Sequence, residues 1–264
     1  MTDSKPFQNP AKRALREGKK LVAGWVQTAS PICTEIMARA GFDVLMIDME
    51  HGPGDILTLI SQCQAMNGSG AVPMVRTPWN DFVAIKRILD AGAQGLLVPY
   101  VQTRAEAEAA VAATKYPPEG IRGIAGSPRA PGYGQKILDY LGHANNEIYV
   151  MTAVETPTAI ANLPEILCVE GLDGIFIGPM DLSTSMGHFC DPSHPEVQAA
   201  ISEIERQVLA SGKVLATIAN SWEQAKGLYE RGYQFLLVMA DGTALAKIAG
   251  ESVARFRSEY GTSF

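Results

Sequence analysis

Apolar residues gather in eight short runs: Leu21–Val26, Val44–Asp48, Val72–Val75, Leu96–Val98, Ile148–Val154, Gly174–Ile177, Val214–Ile218 and Phe235–Met239. Most of them lack polar alternation, as strands covered on both faces do. The stretches between them carry helical spacing and helix punctuation. They predict helices over Pro31–Ala40, Ile56–Met66, Phe82–Ala91, Ala105–Thr114, Ile137–Ala144, Pro157–Leu167, Glu196–Ala210 and Glu223–Arg231, with a short helix at Ala11–Glu17 and a terminal one at Thr243–Tyr260. Ser30 stands where an N-cap belongs, and Gly41 and Gly92 stand where helices stop. Residues 117–135, rich in Gly and Pro, read as one long loop, and residues 178–195 as another. Ordered loops of that length usually carry function.

Eight strand–helix units in 264 residues argue for a single α/β domain, a closed (β/α)8 TIM barrel spanning residues 1–264. A doubly wound open sheet is the alternative, but no GxGxxG follows an early strand. Composition narrows the function. The net charge of −6, with no long basic run, excludes nucleic acid and anionic membrane as bulk partners. The four cysteines, Cys33, Cys63, Cys168 and Cys190, form no CxxC and read as reduced thiols of a cytoplasmic protein. No signal core opens the chain, and no apolar run approaches the roughly 20 residues that span a bilayer.

In such a barrel the chemistry sits where strands end. Strand two ends in Asp48, with Glu50 and His51 just beyond; strand three leads into Arg76, strand four into Pro99, strand five into Glu155, and strand six into a loop carrying Asp181. Two carboxylates at successive strand ends would repel one another, and a hard divalent cation between them relieves that. Arg76 beside a buried strand suits an anion clamp. His51 beside acidic neighbours leans towards acid–base work. Asp48 divides evenly between backbone acceptor and support for the site. Glu50 reads as a solvated loop charge, and Trp25 as pocket wall or core. The glycines at 123, 126, 132 and 134 read as flexibility rather than an anion nest. His143 lies on a predicted helix and His188 and His194 in the loop after strand six, so a zinc site of several histidines has little support. No lysine is placed for a Schiff base, which favours a metal as electrophile, and there is no GxSxG elbow.

Several segments are also familiar. Phe42-Asp43-Val44-Leu45-Met46-Ile47-Asp48-Met49-Glu50-His51-Gly52-Pro53 resembles a signature of the HpcH/HpaI class II pyruvate aldolases. So do Val75-Arg76-Thr77-Pro78-Trp79-Asn80-Asp81, Tyr116-Pro117-Pro118-Glu119-Gly120-Ile121-Arg122-Gly123, Val154-Glu155-Thr156 and Phe176-Ile177-Gly178-Pro179-Met180-Asp181-Leu182-Ser183, and the likeness runs over about residues 10–260. It implies a metal-dependent lyase using Mg2+, Mn2+ or Co2+, which cleaves 4-hydroxy-2-oxo acids reversibly to pyruvate and an aldehyde through a stabilised enolate. By that resemblance Glu155 and Asp181 are metal ligands and Arg76 contacts the pyruvyl oxygens. His51 is the acid–base group, Asp90 supports it from a neighbouring subunit, and backbone near Met180 meets the substrate carboxylate. The resemblance also implies a homo-oligomer, a hexamer, and the apolar face of the terminal helix suits docking on a neighbour. The pattern departs at Ala153, where the family carries Gln, and Met180 stands where it has Ala. A decarboxylase of 2-oxo dicarboxylic acids and a barrel that binds a 2-oxo acid without turnover are the rival readings.

Overall fold

The computed structural model describes residues 6–261. Eight parallel strands close on themselves in chain order: β1 Leu21–Val26, β2 Val44–Asp48, β3 Val72–Arg76, β4 Gly95–Val98, β5 Tyr149–Val154, β6 Gly174–Ile177, β7 Val214–Ile218 and β8 Phe235–Ala240. The expected (β/α)8 barrel is therefore present. Because side chains alternate along a strand, each apolar run fills two cores. Residues such as Val26, Leu45, Ile47, Val75, Leu96 and Ile175 pack outward against the helices. Ala23, Trp25, Met46, Met74, Leu97, Met151, Ala153, Phe176, Ala216 and Leu237 fill the barrel interior.

The helix Pro10–Arg16 closes the amino-terminal end, putting Ala11 and Leu15 into that interior. Its buried Lys12 donates to the Ile148 carbonyl at 2.6 Å and to Asp173 at 2.7 Å, so the charge is paired as burial requires. Several of the helices that return the chain start on side-chain caps, among them Ser30 accepting from Cys33 N–H and Asp81 from Ala84 N–H.

Two elements differ from expectation. The helix expected over Pro157–Leu167 is two short helices, Pro157–Ala161 and Leu163–Leu167. Pro164 lacks the N–H a continuous helix would need there. The loop expected at 178–195 contains the helix Pro179–Ser185. Gly178-Pro179 reads as punctuation, yet a proline is also a preferred first helical residue. Asp181 thus stands in the first turn of a helix rather than in a loop.

Candidate active site

The site begins with strand register. Asp48 ends β2 directly opposite Arg76 at the end of β3. Oδ1 of Asp48 accepts from Arg76 Nε at 2.9 Å and Oδ2 from Nη2 at 2.6 Å. Oδ2 also accepts from Gln27 Nε2 at 2.9 Å, and Oδ1 takes the Glu50 and His51 N–H groups at 3.1 and 3.2 Å. A single buried carboxylate therefore fixes the arginine and shapes the turn carrying the next two polar residues. Burial alone would raise the Asp48 pKa. The Arg76 guanidinium, Gln27 and the backbone amides outweigh it and hold the carboxyl below its ordinary range. The Trp25 ring covers the guanidinium, 4.5 Å from centroid to Cζ, and meets Phe176 edge-on.

Glu50 is not the solvated charge expected from the sequence. Its side chain is 20% exposed, and Oε2 lies 3.1 Å from Arg76 Nη1 without hydrogen-bond alignment. Burial raises its pKa, Arg76 and His51 pull against that, and Asp48 and Asp181 add to it. His51 is mostly exposed at the barrel mouth, 3.8 Å from the Glu50 carboxylate.

Glu155 follows β5 and is buried. Its Oε2 accepts from the Tyr100 backbone N–H at 3.0 Å. Tyr100 has a φ of 57°, an unusual conformation for a residue with a side chain, and its ring stacks on Trp79. A Cβ at Gly178 would lie 2.7 Å from Glu155 Oε1, so a side chain there would displace the carboxylate. Burial first, then the Asp181 and Glu50 charges, push the Glu155 pKa up to about 7, against the Tyr100 N–H and Arg76. A buried carboxylate with one protein hydrogen bond and acidic neighbours is a donor set suited to a hard divalent cation. Glu155 and Asp181 therefore fit the metal that the sequence resemblance implies.

Met180, partly exposed beside Asp181, lines a crevice with Ile177, Pro179, Thr217 and Ile218. Ala153 is buried in the apolar cluster of the barrel interior that also holds Trp25, Phe176 and Ile218. Asp90 is not brought to this mouth. It ends the helix Phe82–Ala91, just before β4 begins, and so lies at the opposite end of the barrel of its own chain. Its carboxylate accepts from the fully buried Arg122 at 2.7 Å, whose guanidinium packs on Tyr116 and Tyr140. Sequence reasoning missed Gln27, Tyr100 and Asp241. Asp241 binds the Gln27 and Thr28 N–H groups and so fixes the residue that reaches Asp48.

Residues 22–247 match the family model described as HpcH/HpaI aldolase/citrate lyase. The chain belongs to that family. A 4-hydroxy-2-oxo-heptane-1,7-dioate aldolase of Escherichia coli is 44% identical over 253 residues, covering 96% of this chain and 97% of that one. A HpcH/HpaI aldolase/citrate lyase family protein from Burkholderia cenocepacia superposes with a TM-score of 0.91 at 33% identity, covering 95% of this chain and all of that one. The citrate synthase SbnG superposes with a TM-score of 0.85 at 27% identity, covering 94% and 97%. Among the described residues no helix is long and apolar enough to cross a membrane.

Proposed function

We propose that this protein cleaves a 4-hydroxy-2-oxo acid reversibly to pyruvate, or a related 2-oxo acid, and an aldehyde, as a cytoplasmic metal-dependent lyase. The observation that carries the reading is the meeting of an oriented guanidinium with two carboxylates at one strand-end mouth, in a family whose relatives are aldolases. Glu155 and Asp181 would hold Mg2+, Mn2+ or Co2+. When bound, the cation supplies Lewis-acid polarisation of the oxo acid.

The remaining work falls to the chain. Asp48 occupies the Nε–Nη2 edge of Arg76, and the Trp25 ring covers its plane, so the Nη1 edge beside Glu50 is the part left to face a substrate oxygen. There it binds the pyruvyl oxygens and stabilises charge that develops on them. His51, held by its backbone N–H and with its ring mostly exposed at the mouth, takes the C4 hydroxyl proton in cleavage and returns it in condensation. Backbone at Met180 receives the substrate carboxylate. Asp90 could support His51 only from another copy of the chain, which fits a homo-oligomer, a hexamer by resemblance. The helix Asp241–Tyr260 supports the same reading, because Leu245, Ile248, Val253, Phe256 and Tyr260 are all exposed.

The test is a panel of aldehydes with pyruvate and each of the three cations, with product analysis and an oxaloacetate control. Aldol products that disappear on chelation and return with metal are expected. Full turnover after exhaustive metal removal would overturn the metal assignment. Oxaloacetate loss without any aldol product would leave the decarboxylase.

A further inference from the structure

We propose a second metal site, for a borderline transition cation such as Zn2+, formed by His188, His194 and Glu196 beyond the helix Pro179–Ser185. It shares no residue with the mouth that holds Glu155 and Asp181.

The segment is built to hold these side chains together. His188 N–H donates to the Ser183 carbonyl at 2.9 Å, Asp191 N–H to the His188 carbonyl at 3.1 Å, and His194 N–H to the Asp191 carbonyl at 3.3 Å. Asp191 Oδ1 accepts from Ser193 N–H at 3.1 Å, and Gln198 Nε2 ties the Pro192 carbonyl to the helix Pro195–Ser211 at 2.7 Å. These turns stack the His188 and His194 rings 3.5 Å apart and place His188 Nε2 2.8 Å from Glu196 Oε2. One ligand atom from each of the three residues lies within 4.8 Å of the others.

Two imidazoles and a carboxylate suit zinc and its neighbours and are poor ligands for magnesium. With bonds of roughly 2.1 Å to nitrogen and oxygen, atoms spaced as His188 Nε2 and Glu196 Oε2 are would subtend about 85° at the cation, and a small spread reaches the tetrahedral angle. The cation takes the place of the contact between His188 Nε2 and Glu196 Oε2, with His188 binding through Nε2 as its Nδ1–H tautomer. The stacked rings are nearly parallel, so His194 must swing to aim its lone pair. What it surrenders is the 3.3 Å bond from Glu196 N–H to Nδ1, a long contact for a cap. Glu196 is mostly exposed, so solvent completes the coordination. Pro192 and Ser193 line the same crevice as Pro179 and Met180, and a cation here would brace the connection beside the helix that carries Asp181.

Zn2+ binding is measured by equilibrium dialysis of the full chain with Mg2+ in large excess, so that the carboxylate mouth is treated alike in every sample. The parent should bind one Zn2+ per chain more than His188→Ala or His194→Ala. His143→Ala, altered on a different helix, should bind as the parent does. All three variants should keep parental circular dichroism and Mg2+-supported activity. Equal zinc in the parent and His188→Ala, or the same loss in His143→Ala, would overturn the site.

Discussion

Asp48→Asn keeps the shape of the side chain and removes the charge that holds Arg76. Whichever way the amide turns, an NH2 faces donors: Arg76 Nη2 and Gln27 Nε2 on one side, Arg76 Nε and two backbone N–H groups on the other. At least two hydrogen bonds to the carboxylate are lost, each worth about 1.5–3 kcal/mol. Breaking a buried pair by removing one partner costs a similar total, about 3–5 kcal/mol, because the remaining ion is left without compensation. Glu50, 3.1 Å from Nη1, can take up part of that charge, which points to the lower end, about 3 kcal/mol. The control is another arginine–carboxylate pair of the same length. Arg104 Nε lies 2.7 Å from Glu108 Oε1, but both side chains are about half exposed. Glu108→Gln should cost no more than about 0.5 kcal/mol, as exposed helical pairs do. Urea unfolding at one protein concentration measures stability, and kcat/KM with a 2-oxo acid measures the effect on the site. A guanidinium displaced by about 1 Å should lower kcat/KM about a hundredfold. If Asp48→Asn and Glu108→Gln fall within about 1 kcal/mol of each other, burial is not what gives the Asp48–Arg76 pair its weight.

Glu155 sets a pH dependence in the metal-free chain. Its pKa rises from an ordinary 4.5 to about 7 on folding, so the folded form holds the proton longer, and the stability this group contributes is lost as pH climbs from about 4.5 through 7. The loss levels off at roughly 3 kcal/mol, and Glu155→Gln should abolish it along with metal binding. Parent and variant showing the same stability change between pH 5 and pH 8 would refute that origin. Ala153→Gln should tighten pyruvate binding by about 0.5–1.5 kcal/mol by adding an amide to an apolar wall, with little change in metal affinity. If pyruvate binds no better, the bulk of Met180 becomes the next residue to vary. Leu245→Glu with Phe256→Glu should shift the assembly towards smaller species and lower activity together, read by sedimentation velocity beside a turnover assay; a fully active monomer would refute a site completed by a neighbour's Asp90.

The barrel was legible because its strands are apolar on both faces and alternate with helices whose ends are punctuated, as at Ser30, Gly41 and Gly92. Those are local signals, and they failed where one residue type serves two purposes. Pro179 ends one element and begins the next, and Pro164 divides what the spacing reads as one helix. The strand-end residues Asp48, Arg76 and Glu155 were legible for the same local reason, since each closes an apolar run. Their relations were not. That Asp48 faces Arg76 follows from the β2–β3 register, which no stretch of sequence displays. Gln27 depends on Asp241, 214 positions away. Tyr100 acts through its backbone N–H, a group every residue but proline carries, so its side chain gives no hint of the bond to Glu155.

Glu50 shows most directly what pattern reading lacks. Beside His51 in a polar turn it has the local features of a solvated charge. Asp48 draws the backbone of that turn inward through two N–H bonds and places the Glu50 carboxylate against Arg76. Its burial and raised pKa then follow from its neighbour's hydrogen bonding rather than from its own sequence environment. The same turn presents the His51 ring to solvent. A single carboxylate thus sets the orientation of the arginine, the depth of Glu50 and the exposure of the histidine. Substitution at Asp48 should therefore perturb all three together, whereas substitution at His51 should leave the Asp48–Arg76 pair intact.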